Sequence, residues 1–150
     1  MNENIYLKYL FEKNLEKFQE LIYKNENEIL NENSLNDINY KSTIIHDIIL
    51  SNEIELSLKL KSVYILCDLG ININAQNQNH QTVIHLAIID YLNHQKNESV
   101  ENDDKIFENK YGYEAFELVK CFLINGCDLT ITDKHGKESI IPFWFVLNEI

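Results

Sequence analysis

Five histidines and three cysteines are the side chains of this chain best suited to catalysis or metal binding. His46 and His85 each stand three residues after a threonine, in Thr43-Ile44-Ile45-His46 and Thr82-Val83-Ile84-His85. At the start of an apolar helix that spacing lets the hydroxyl cap the first turn and the imidazole brace it, which is a structural task. His80 and His135 fall in two similar polar turns, with Asp133 beside the second. These are metal-ligating types, but they lack the ligand spacing of known zinc sites. His94 opens a polar stretch and reads as a solvated side chain. Cys67, Cys121 and Cys127 are odd in number and contain no C-x-x-C, and apolar neighbours such as Ile65, Leu66 and Phe122 favour buried, inert thiols. The carboxylate pairs Asp103-Asp104 and Glu53 with Glu55 lie in polar stretches, where charged runs are ordinarily solvated. There is no glycine-rich phosphate loop, no G-x-S-x-G and no H-E-x-x-H. The chain is therefore expected to have no catalytic site, no cofactor and no resident metal.

The elements that carry these residues are helical in pattern. At 150 residues with 45% hydrophobic content, the chain is the size of one domain and can bury a continuous core. Residues 5–12 set Ile5, Tyr9 and Phe11 among polar neighbours. Residues 14–24 place Leu15, Phe18, Leu21 and Ile22 on one helical stripe. Further apolar helical runs occupy 43–51, 56–68, 82–93 and 114–125, each first helix followed by a partner. Helix pairs in series predict a repeat, and self-similarity is present. Val63 to Ala75 aligns with Val119 to Ile131, bringing Gly70 and Gly126 into register, and Ser42-Thr43-Ile44-Ile45-His46 aligns with Gln81-Thr82-Val83-Ile84-His85. A glycine just past an apolar helix provides the left-handed cap that ends it.

These residues resemble the ankyrin repeat, a hairpin turn followed by two antiparallel helices with a T-P-L-H-x-A signature. Thr82-Val83-Ile84-His85-Leu86-Ala87 matches the signature except at its proline, and Leu69-Gly70-Ile71-Asn72-Ile73-Asn74-Ala75 is similar to the family's G-A-D-V-N-A turn. The resemblance implies an all-α ankyrin-repeat solenoid of helix-turn-helix units over residues 1–150. About four repeats fall at 1–37, 38–75, 76–131 and a truncated 132–150. The spacings exceed the family period of about 33 residues, so the third repeat is expected to carry an insertion at 94–112, read as a loop. The fourth keeps Asp133-Lys134-His135-Gly136 but has Glu138 where the threonine belongs. It is followed by an apolar helix at 140–150, around Pro142, with Ile140, Ile141, Phe143, Trp144, Phe145, Val146 and Leu147.

The resemblance also implies a role. In such stacks the hairpin tips and the exposed side of the first helices form a concave face that holds other proteins. That face carries over here to Asn39, Tyr40 and Ser42 with Leu50 and Ser51. It continues through Gln78, Asn79 and Gln81 with Ile89 and Asp90, and ends at Lys134, His135 and Lys137. Trp144 and Phe145 are added because an almost unbroken apolar helix at the end of a solenoid needs a cover, either a partner protein or a second copy of the chain in a homodimer. The charge narrows the partner. Thirteen lysines and no arginine stand against 24 acidic residues, for a net charge of -11. This excludes a phosphate-binding nucleic-acid partner and favours a basic protein. No segment has the length and hydropathy of a membrane span or of a signal peptide, so a cytoplasmic protein is expected. The concrete expectation is a non-catalytic interaction module, a small acidic inhibitor or immunity-type protein that neutralises a basic partner such as a toxin. The alternative is an effector or scaffold that docks a host protein through the same face.

Overall fold

The computed structural model describes residues 5–32, 40–98 and 110–138, and among them the chain is all-helical. The first unit pairs α1 (Ile5–Phe11) with α2 (Leu15–Lys24). Lys13 turns the chain with a φ of 57°, and the Asn14 side chain accepts a hydrogen bond from the Lys17 amide to cap α2. A short α3 (Glu26–Glu32) follows directly, which the sequence pattern does not predict. Asn25 makes the junction: its amide N–H meets the last carbonyls of α2, while its own carbonyl accepts from Ile29 in α3. Ile29 is fully buried, and a single apolar anchor leaves too faint a periodicity to read.

Two longer helical hairpins follow. In the first, α4 (Ile44–Leu50) precedes α5 (Leu56–Leu69); in the second, α6 (Val83–Glu98) precedes α7 (Lys110–Ile124). Within each hairpin the two helices pack on each other. Between hairpins α4 packs on α6, and α5 lies between α2 and α7. The helices thus form two rows, one containing α4 and α6, the other α2, α5 and α7. The core runs along the seam, through Phe18 and Ile22, Ile45 and Ile48, Val63 and Leu66, Ile84 and Ile88, to Leu118 and Phe122, all essentially inaccessible. Each such side chain contributes roughly 1.5–3 kcal/mol by leaving water.

The expected insertion needs correction at both ends. Residues 94–98 continue α6, and residues 110–112 open α7, so these parts of 94–112 are helix rather than loop. The backbone of each of these helices extends past the point where its apolar periodicity fades, because propagation adds a backbone hydrogen bond per residue once a helix is nucleated. Residues 99–109 lie outside the described residues, as does the expected helix at 140–150 with Trp144 and Phe145. Among the described residues no helix is long and apolar enough to cross a membrane.

The glycine positions behave as aligned. Gly70 and Gly126 have φ of 95° and 78°, and each hairpin ends with the same pair of bonds. Gly70 donates to Cys67 and Ile71 to Leu66; Gly126 donates to Leu123 and Cys127 to Phe122. That double bond with a left-handed residue is the Schellman termination, which satisfies carbonyls the helix leaves open.

Candidate protein-binding face

The threonine–histidine pairs build the start of each hairpin. The Thr43 side chain accepts from the His46 amide at 3.4 Å, and the Thr43 amide donates to His46 Nδ1 at 3.1 Å, closing a capping box with histidine in the place usually held by glutamate or glutamine. Because Nδ1 accepts, the proton sits on Nε2, which donates to the Gln81 carbonyl at 2.9 Å. In the second hairpin the Thr82 amide donates to His85 Nδ1 at 3.1 Å, and His85 Nε2 donates to the Lys137 carbonyl at 3.2 Å. Each imidazole therefore caps its own helix and pins the turn of the next unit. His46 is buried, and loss of hydration lowers its pKa from 6.5, the Gln81 carbonyl opposing the shift.

The turns so held are copies of each other. Asn77 donates to Gln81 and accepts from His80 through the backbone; Asp133 donates to Lys137 and accepts from Gly136. The Asn77 side chain accepts from the Asn79 and Gln81 amides, and the Asp133 carboxylate accepts from those of His135 and Lys137. The amides of Lys137 and His135 hold the Asp133 carboxyl below the ordinary range of an aspartate. Successive turns also bond to one another: Lys134 donates its amide to the Asn79 carbonyl at 3.0 Å, and Gln76 reaches the carbonyls of both His80 and Thr132.

Most of the expected contact residues lie on this frame, with different degrees of freedom. Tyr40, Ser42, Gln78, Asn79, Lys134, His135 and Lys137 are exposed. Gln81 is half-buried, and its backbone serves the turn and His46. The Lys137 carbonyl serves His85 while its side chain stays exposed. Leu50 and Ile89 each stand seven residues after the capping threonine, and they are 55% and 44% exposed. Ser51 and Asp90 beside them are half-buried. Asn39, Trp144 and Phe145 lie outside the described residues.

Three relationships were not visible in the sequence. The ring of Tyr40 stacks on His80, with centroids 3.9 Å apart and an interplanar angle of 11°, joining the tips of two successive units. Asn77 organises its turn as Asp133 does, a role that the alignment of Asn77-Gln78-Asn79-His80 with Asp133-Lys134-His135-Gly136 could have signalled. Lys59 is buried and donates to the Ile49 carbonyl at 2.8 Å, at the C-terminus of α4 where a cation is favoured. Burial lowers its pKa and the charge of Asp90 opposes that, so the Asp90 carboxylate acts inward on Lys59. Among the described residues no group of three or more histidine, cysteine or acidic side chains is placed to hold a metal ion. Comparison with protein-family models, with curated proteins and with solved structures finds no match to this chain.

Proposed function

We propose that this chain is a degenerate ankyrin-type solenoid and a non-catalytic protein-binding module, acting in the cytoplasm as an acidic inhibitor or immunity-type protein on a basic partner. The fold reading is supported by helix pairs in two rows, by the repeated Thr–His caps and glycine terminations, and by the histidine of each unit bonding to the turn of the next. The observation that carries the binding role is the equivalent exposure of Leu50 and Ile89 at one register of α4 and α6. A buried role would remove both from water, and a purely solvating face would not repeat an aliphatic side chain. Tyr40 and His80 add a stacked aromatic pair at the tips, and Asp90 adds acid within a chain of net charge -11. Complementary charge speeds encounter, and the aliphatic centre slows release.

The test is affinity purification from the native lysate with the chain and with its Leu50→Asp/Ile89→Asp form, matched for helical circular dichroism. A basic protein retained only by the unaltered chain, with association slowing at least tenfold from low to high salt and dissociation nearly constant, is the expected result. A partner retained equally by both forms removes the face. A salt-independent rate removes the inhibitor reading and leaves the docking module of an effector or scaffold, which the aliphatic stripe alone would serve.

A further inference from the structure

Cys67, near the end of α5, and Cys121, near the end of α7, bring their sulfurs to 3.9 Å, within reach of a shared hydrogen bond. They lie in different hairpins, 54 residues apart in sequence, and both are free. Their surroundings are unequal. Cys121 is buried, whereas Cys67 keeps part of its surface in water. Asn125 turns its amide to Cys121, with Nδ2 2.7 Å from the Cys121 carbonyl and 3.7 Å from its sulfur, so a donor stands ready for charge on that sulfur. The Cys121 contact and burial push the Cys67 thiol up, while the Cys67 contact and the Asn125 amide hold the Cys121 thiol down; burial pushes the Cys127 thiol up to about 11.

We infer that Cys67 and Cys121 are a reversible thiol–disulfide site that takes a low-molecular-weight disulfide as its oxidant and clasps the second helices of the two hairpins together. After one proton leaves the pair the charge rests on Cys121, and transfer of the Cys67 proton to Cys121 lets the more exposed Cys67 sulfur attack one sulfur of the small disulfide, forming a mixed disulfide and releasing one small thiolate, which takes up a proton from water. The Cys121 thiolate then attacks Cys67 Sγ, forming the Sγ–Sγ bond and expelling the second small thiolate, which takes up the Cys121 proton. The two protein thiols lose two electrons, and the small disulfide is reduced to two thiols. The sulfurs close from 3.9 Å to about 2.05 Å. The inference is independent of what the exposed face binds.

The experiment equilibrates the folded full chain with oxidised glutathione, alkylates the remaining thiols and maps peptides without reduction. The expected product is one peptide pair linked through Cys67 and Cys121, with Cys127 alkylated, and the same product from Cys127→Ser. The link should raise the midpoint of thermal unfolding by roughly 5 °C or more, because it closes a long loop in the unfolded chain, and dithiothreitol should reverse it. Glutathione persisting on Cys67 without the linked peptide, a link through Cys127, disulfide-bonded dimers, or thiols unchanged under conditions that oxidise the urea-unfolded chain would each overturn it.

Discussion

Tyr40 and His80 lie ring on ring at 3.9 Å, and both hold left-handed backbone, with φ of 52° and 58°. The position equivalent to His80 in the next turn is Gly136, at φ 75°, the residue that adopts this conformation without strain. A histidine there costs about 1–2 kcal/mol of backbone energy, and the stack returns part of it, since an aromatic pair contributes about 0.5–1.5 kcal/mol. His80→Gly should therefore change stability by less than about 1 kcal/mol. In a double-mutant cycle by urea unfolding, Tyr40→Ala should cost about 0.5–1.5 kcal/mol less in the His80→Gly background than in the unaltered chain. Additive costs would show that the stack contributes nothing.

His46 joins two units through one ring, so its two contacts can be separated by substitution. Gln at this third helical position can still reach back to the Thr43 amide, as in the usual capping box, but it lacks the Nε2 donor for the Gln81 carbonyl. His46→Gln should keep the helical circular-dichroism signal and lose about 0.5–1.5 kcal/mol, the range for one net hydrogen bond, since the half-buried Gln81 carbonyl keeps the Asn77 amide as a donor. His46→Ala should lose more, since the cap goes as well. Equal losses for the two variants would assign the whole effect to the cap.

The same residue predicts a pH dependence whose sign follows from burial. The folded pKa of His46 lies below 6.5, so the unfolded chain takes up the proton first as pH falls. The stability is fully present above pH 6.5 and is lost as pH falls from there through the folded pKa. Protonation would also put a hydrogen on Nδ1, facing the Thr43 amide that now donates to it. Urea midpoints measured from pH 7.5 to 5 should decline, and the decline should be shallower in His46→Gln. Parallel curves would assign the acid sensitivity to other groups.

Gly70 and Gly126 offer a cleaner backbone measurement. A Cβ built on either would meet no heavy atom within 4 Å, so alanine introduces no clash and reports only the cost of positive φ. Gly70→Ala and Gly126→Ala should each destabilise by about 1–2 kcal/mol, and the double variant tests whether the two ends couple, since the Asp128 amide of one turn donates to Asn74 Oδ1 of the other at 2.8 Å. A loss in urea unfolding well above that range would mean that the terminations are coupled through α5 and α7.

The features legible in the amino-acid order are those governed by short-range rules. The long helices, the threonine–histidine starts and the glycine ends follow from side chains within about five positions of each other, and the structure carries them at the aligned residues. The α3 helix escaped because Ile29 alone anchors it, and the ends of the 94–112 segment were misread because a nucleated helix propagates beyond its apolar pattern. Tertiary structure alone decided the pairings across units: His46 with Gln81, Tyr40 with His80, Lys59 with Ile49, and Cys67 with Cys121. It also decided that Leu50 and Ile89 stay in water while their neighbours Ile49 and Ile88 are buried. Local sequence sets which faces of a helix are apolar. How much of each face is covered depends on the angle and register at which the next hairpin docks, and that docking is the sum of many contacts between residues far apart in the chain.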